Sequence, residues 1–89
     1  MNTVVIRNTV TGEAPTILEF SQPHFTKRQY NIVLSEMFFL AAQSIDNRDL
    51  SAEINGKNRV QMVTHVDGSV IWANVFVNGD YVRSMTIAD

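Results

Sequence analysis

The chain has 89 residues, which is enough for one domain and too few for two separate hydrophobic cores. Apolar residues make up 45% of it and charged residues 18%, a charge content below the usual quarter. The formal net charge of −2 argues against a strong electrostatic field for nucleic acid or anionic membrane. The absence of cysteine excludes disulfides and thiolate chemistry. We therefore expect residues 1–89 to form a single compact domain.

The start of the chain, Met1–Arg7, lacks the basic region and long apolar stretch of a secretory leader. The longest apolar run, residues 37–42, is far shorter than a membrane span. Small secreted domains usually need disulfides, and this chain has none. These features predict a cytoplasmic protein that does not enter a membrane.

The first predicted elements are two strands. Residues 3–10 place Val5 and Arg7 opposite Val4 and Ile6, with threonines throughout, and residues 16–20 form a second short run of β-formers. The segment Thr11–Ala14 between them contains a glycine and is typical of a turn. Residues 3–20 are therefore predicted to form a hairpin.

A helix follows, and its start carries the clearest local signal in the chain. Thr26 and Gln29 have the spacing of a capping box, in which each side chain satisfies an open amide of the helix terminus. Phe25 and Tyr30 flank this box at the spacing of a hydrophobic staple. The helical pattern continues over residues 27–45, and the polar segment after it is predicted to be a loop.

The predicted helix has more apolar surface than one sheet face needs. Its broad apolar face is spaced for burial and consists of Tyr30, Val33, Leu34, Met37, Phe38, Ala41 and Ile45. On the opposite face, Ile32 and Phe39 stand seven residues apart, beside polar Glu36 and Gln43. We interpret Ile32 and Phe39 as a dimer contact or a second interface.

The C-terminal half is predicted to be entirely β-structure. Leu50–Ile54 reads as a short edge strand that turns at Asn55-Gly56. Residues 59–88 then read as a three-stranded meander with two-residue loops at Asp67-Gly68 and Asn78-Gly79. The element order is β-β-α-β-β-β. The chain is therefore predicted to be an α+β protein, with an antiparallel sheet of four to six strands and one long helix packed across it.

Counting outward from the two turns assigns the meander side chains to two faces. One face is small and aliphatic and suits the helix; it holds Val60, Met62, Thr64, Val66, Ile71, Ala73, Val75, Val77, Val82, Ser84 and Thr86. The other face mixes large aromatic rings with arginines and amides; it holds Arg59, Gln61, Val63, His65, Val70, Trp72, Asn74, Phe76, Tyr81, Arg83, Met85 and Ile87. This second composition is typical of binding surfaces.

Catalytic and metal-binding motifs are missing from the sequence. His24 and His65 have no partner at metal-ligand spacing, and no nucleophile elbow accompanies them. The four glycines fall in separate turns, so there is no phosphate-binding loop. We therefore predict a protein that is not an enzyme and needs no cofactor or metal.

The surplus apolar surface on two sides predicts association with another protein. The predicted partner-binding residues share the aromatic and basic face of the meander and are Trp72, Phe76, Tyr81, Arg83 and Arg59. We expect a small homodimer that occludes or bridges a partner protein, by analogy of size and composition with phage or mobile-element inhibitors of host machinery. One alternative is single-stranded nucleic-acid binding on the same face, and another is a small enzyme without a recognisable motif.

Overall fold

The computed structural model of the protein describes residues 1–9, 13–43, 49–68 and 70–87. These residues form six strands and one helix, which are β1 (Asn2–Asn8), β2 (Thr16–Phe20), α1 (Lys27–Gln43), β3 (Leu50–Ile54), β4 (Asn58–Asp67), β5 (Val70–Val77) and β6 (Asp80–Ile87). The strands make one antiparallel sheet in the order β2-β1-β3-β4-β5-β6. The predicted α+β class and element order are confirmed. The prediction that Leu50–Ile54 is an edge strand was wrong, because β3 pairs with β1 on one side and β4 on the other. No helix in this part of the chain is long and apolar enough to cross a membrane.

Two predicted boundaries fall partly outside the described residues. The first hairpin forms as expected from β1 and β2, but residues 10–12 of its turn are not described. The helix is described as far as Gln43, so its predicted last residues, 44 and 45, lie outside, as does most of the loop that follows.

The start of α1 has the predicted capping box. The Gln29 side-chain oxygen accepts from the Thr26 amide at 3.1 Å, and Thr26 Oγ1 accepts from the Gln29 amide at 3.3 Å. Gln29 Nε2 also donates to Gln22 Oε1 at 2.8 Å. The connector between β2 and α1 is held in turn by Asn2, whose Nδ2 donates to the Gln22 carbonyl at 2.9 Å. Because Asn2 and Gln29 are buried, these bonds satisfy polar groups that would otherwise destabilise the fold.

The core lies between α1 and one face of the sheet. The helix contributes the middle of its predicted apolar face, and the sheet contributes one inward-facing set from its central strands. The buried hydrophobic residues are Val4, Ile6, Val33, Leu34, Met37, Phe38, Ala41, Leu50, Ala52, Ile54, Val60, Met62, Ala73 and Val75. Tyr30 is half-buried against this cluster. Every buried hydrophobic residue that the sheet contributes here is on the helix side.

The two turns of the meander differ in how well they were predicted. Asn78-Gly79 forms the predicted two-residue loop, with φ of 51° and 91° at its two positions. At the other turn Asp67 pairs with Val70, so the loop begins at Gly68 and not at Asp67. The prediction was one residue early, because Asp67 continues the ladder and Gly68, at φ 61°, is the first loop position. This shift of a two-residue loop leaves the assignment of faces in β4 and β5 unchanged.

The face assignment in β6 was wrong beyond Tyr81. Phe76 pairs with Tyr81, but Val75 pairs with Arg83, so Val82 is the extra residue of a β-bulge. Arg83 therefore lies on the helix side of the sheet, and not on the aromatic face where it was predicted. The shift has a packing reason, because it moves Met85 from the aromatic face to the core cluster. Ser84 and Thr86 move in exchange to the face that carries Asn74 and Trp72.

We predict that the two faces of α1 respond differently to truncation. Leu34→Ala should lower the free energy of unfolding by about 3 kcal/mol, because Leu34 is fully buried and leaves a cavity. Ile32→Ala, two residues away and 45% exposed, should cost less than about 1 kcal/mol. Urea denaturation of both variants is the measurement. Equal losses of stability would contradict the helix orientation.

Candidate protein-binding surface

The side of the sheet that faces away from α1, here called the open face, is the most distinctive surface of the molecule. The helix packs on the other side, with its closest approach to β3 and β4. Side chains on the open face are exposed or half-buried throughout the described strands. Two of the large ones, Ile17 on β2 and Tyr81 on β6, are more than half exposed. A single helix therefore leaves one whole face of a six-stranded sheet available for contact.

Four aromatic side chains form a cluster on the open face of β4, β5 and β6, here called the aromatic patch: His65, Trp72, Phe76 and Tyr81. His65 and Trp72 are directly paired across strands. Their rings stack with 5.3 Å between the ring centroids and 25° between the planes. Phe76 and Tyr81 are paired in the same way and meet edge to face at 5.9 Å. Such contacts fix the ring orientations before any partner arrives.

A polar relay links the Phe76–Tyr81 pair to Asn74 on β5. Tyr81 Oη lies 2.7 Å from Ser84 Oγ, and Ser84 Oγ donates to Asn74 Oδ1 at 2.8 Å. Ser84 has one hydroxyl hydrogen, which goes to Asn74, so the Tyr81 hydroxyl is the donor in the first bond. Ser84 reaches this face only because of the bulge at Val82. The relay holds the Tyr81 ring in place although its side chain is 59% exposed.

The charges of the open face are balanced. Register places Arg7 and Arg59 there, together with Glu19, Glu53 and Asp67. Arg59 lies 3.9 Å from Glu53, and both side chains are exposed, so this ion pair is weak. The face therefore has no dominant sign of charge.

The two residues of the predicted second interface border different hollows. Ile32 is 45% exposed and borders a hollow beside the end of β2, which also contains Arg28 and Gln29. Phe39 is 57% exposed and borders a different, mostly apolar groove of about 350 Å³ against β6. The groove is lined by Ser35, Phe38, Phe39, Ala42, Met85 and Thr86. The two residues share a helix stripe, but Ile32 lies beside the end of β2 and Phe39 lies beside β6.

Of the predicted partner-binding residues, the structure brings together Trp72, Phe76 and Tyr81, with Arg59 at the margin of the same face. It separates Arg83 from them. Sequence reasoning missed the contribution of His65, which it examined as a catalytic candidate, and of Asn74 and Ser84. Counting from the predicted Asp67-Gly68 turn puts His65 on the same face as Trp72 but opposite Val70, because that turn was placed one residue early; no sequence signal marks Ser84.

No metal centre is evident among the described residues. Within residues 1–9, 13–43, 49–68 and 70–87, no three His, Asp or Glu side chains lie close enough together to hold an ion. His24 is exposed in the connector before α1, far along the chain from the stacked His65.

Comparison with protein families, with curated proteins and with solved structures gives no match to this chain. The argument for function therefore rests on the geometry of the open face.

We predict that Trp72, the single tryptophan, reports on the packing of the patch. His65→Ala should shift its fluorescence to longer wavelength and increase quenching by acrylamide, because the stacked imidazole no longer shields the indole. Phe76→Ala is the matched control, since Phe76 packs against Tyr81 rather than against Trp72. The same spectral change in both variants would contradict the pairing.

Proposed function

We propose that this protein is a non-enzymatic protein-binding module and that the aromatic patch is the centre of its binding surface. The observation that carries the proposal is the position of four aromatic rings on the open face, outside the core that α1 covers. Tryptophan and tyrosine dominate the energetics of protein interfaces, because each brings a large contact area with few rotatable bonds. The proposed mechanism is occlusion or bridging of a partner, without chemistry.

Preorganisation supports this proposal. All the residues of the patch lie on hydrogen-bonded strands, and the stacking and hydrogen-bonding contacts restrict their rotamers. A surface that is already ordered loses little conformational entropy when a partner binds. Patches of this kind on small domains commonly mark interaction sites.

The edges of the sheet are poorly suited to bind a partner by strand pairing. β2, at one edge, has only five residues. β6, at the other edge, carries the bulge at Val82 and places the charged Arg83 on the helix side. Short strands, bulges and inward-pointing charges are features that discourage strand pairing at an edge. A partner is therefore expected to bind across the strands and not to extend the sheet.

The nucleic-acid alternative loses support from the register. It relied on Arg59 and Arg83 to contact phosphates beside the aromatic rings, and Arg83 lies on the other side of the sheet. Arg59 lies near Glu53, and the open face as a whole has no excess of positive charge. Single-strand binding needs a positively charged groove along the stacking platform.

The proposal predicts that the patch, and not exposed apolar surface in general, is needed for binding. Trp72→Ser or Tyr81→Ser should remove specific partners captured by the tagged protein from native lysate, by at least about tenfold in quantitative mass spectrometry. Ile17→Ser removes a similarly exposed side chain from the open face on β2 and should leave the captured set unchanged.

Circular dichroism should show the same fold for all three variants. Loss of the same partners in the Ile17 variant, or retention of all of them in both patch variants, would contradict the proposal. Capture of nucleic acid that weakens steeply with salt would favour the alternative instead.

A further inference from the structure

We propose that a second copy of this chain covers the aromatic patch, and that two copies pack open face to open face with Asn74 of each beside the twofold axis. This inference rests on the proposed function and names the partner of the same surface. The commonest assembly of soluble proteins is a twofold dimer, whose interface must be complementary to itself. The arrangement of side chains around Asn74 meets that requirement.

Two large rings on β5 are placed symmetrically about Asn74. Trp72 and Phe76 each stand two residues from Asn74 on β5, one on either side. A twofold axis that lies between the sheets and crosses the strands at Asn74 keeps β5 over β5 with its direction reversed, so it sets Trp72 of one copy over Phe76 of the other. Because the rotation exchanges the two copies, this contact forms twice. Face-to-face sheets keep their strands within about 30° of alignment, which this axis allows.

The same operation matches opposite charges at the rim. Val63 pairs directly with Asn74 and therefore lies at the level of the axis. Arg59 and Asp67 stand four residues before and four residues after Val63 on β4, on the open face. The axis consequently brings Arg59 of each copy over Asp67 of the other. Arg59 is free to turn toward this partner, because it is exposed and lies 3.9 Å from Glu53.

Asn74 supplies a polar contact at the axis itself. Its Oδ1 accepts from Ser84, while its side-chain N–H groups have no described partner. Two Asn74 amides that face each other across a twofold axis can each donate to the oxygen of the other. An amide pair at the axis disfavours shifted registers, because a shift leaves the amides unpaired.

The size of the patch fits a weak dimer. With strands about 4.8 Å apart and about 3.3 Å per residue, β4–β6 present roughly 400 Å² of projected sheet, and projecting rings add to the accessible area. Two copies would therefore bury about 1,000 Å², close to the lower limit for a specific interface. We expect a dissociation constant on the order of micromolar.

The first test is the oligomeric state of the purified chain by sedimentation velocity over a wide concentration range. The wild type should pass from monomer to dimer, and Trp72→Ser should raise the dissociation constant by at least about tenfold. Ile17→Ser should leave the dissociation constant unchanged. Ile17 is on the same face, but its strand β2 lies four strands away from β5 in the sheet. A wild type that stays monomeric at millimolar concentration overturns the inference.

The second test uses charge reversal to examine the register. Arg59→Glu and Asp67→Lys should each weaken the dimer, because each places like charges opposite one another. The double variant should recover most of the wild-type affinity, since the opposed charges are again complementary. Two single losses that simply add in the double variant would overturn the placement of the axis.

The third test is chemical crosslinking through an introduced cysteine, which is site-specific because the natural chain has no cysteine. Asn74→Cys should give a covalent dimer with a short bis-maleimide, since residue 74 lies opposite itself across the axis. Ile17→Cys should not. A dimer in solution that crosslinks through residue 17 and not through residue 74 overturns the inference.

Failure of the dimer and failure of the proposed function are distinguishable. A monomeric wild type that still captures partners through Trp72 overturns the dimer and leaves the protein-binding function in place. A monomer whose captured proteins do not depend on Trp72 overturns both.

Discussion

The structure depends on the fact that one helix cannot cover both faces of a six-stranded sheet. The 17 residues of α1 span about 25 Å, enough to cross the strands once on one side. The buried hydrophobic side chains described in the sheet accordingly lie between it and the helix. The open face keeps large aromatic side chains that the core does not use. This imbalance, rather than any motif, is what indicates a binding function.

The bulge at Val82 is the local feature that separates the two faces of β6. It brings Met85 onto the core cluster and beside the groove of Phe39, and it sends Ser84 to the open face. There Ser84 completes the hydrogen-bonded relay with Tyr81. The bulge also weakens β6 as a pairing edge. One inserted residue thus adds a side chain to the core cluster and orders part of the aromatic patch, both of which the proposed binding through the open face uses.

Local signals in the sequence predicted the elements well, and long-range packing explains what they missed. The capping box at Thr26 and the Asn78-Gly79 turn are short-range patterns with one dominant structural solution, and both formed. A bulge has no comparable signature, because counting from a turn assumes a regular ladder. Arg83 was therefore assigned to the wrong face. Ile32 lies beside β2 and Phe39 beside β6 because the helix crosses the sheet, and helical periodicity does not encode which strands it crosses.

The central claim is that protein contacts cover the open face while the helix side stays exposed to solvent. The most direct measurement is NMR relaxation of methyl groups by a soluble paramagnetic probe as the protein concentration rises. Val63 pairs with Asn74 on the open face, and its methyls should become protected from the probe. The methyls of Ile32, on the exposed side of α1, should show no change in relaxation. Protection of Ile32 with no change at Val63 would contradict the account.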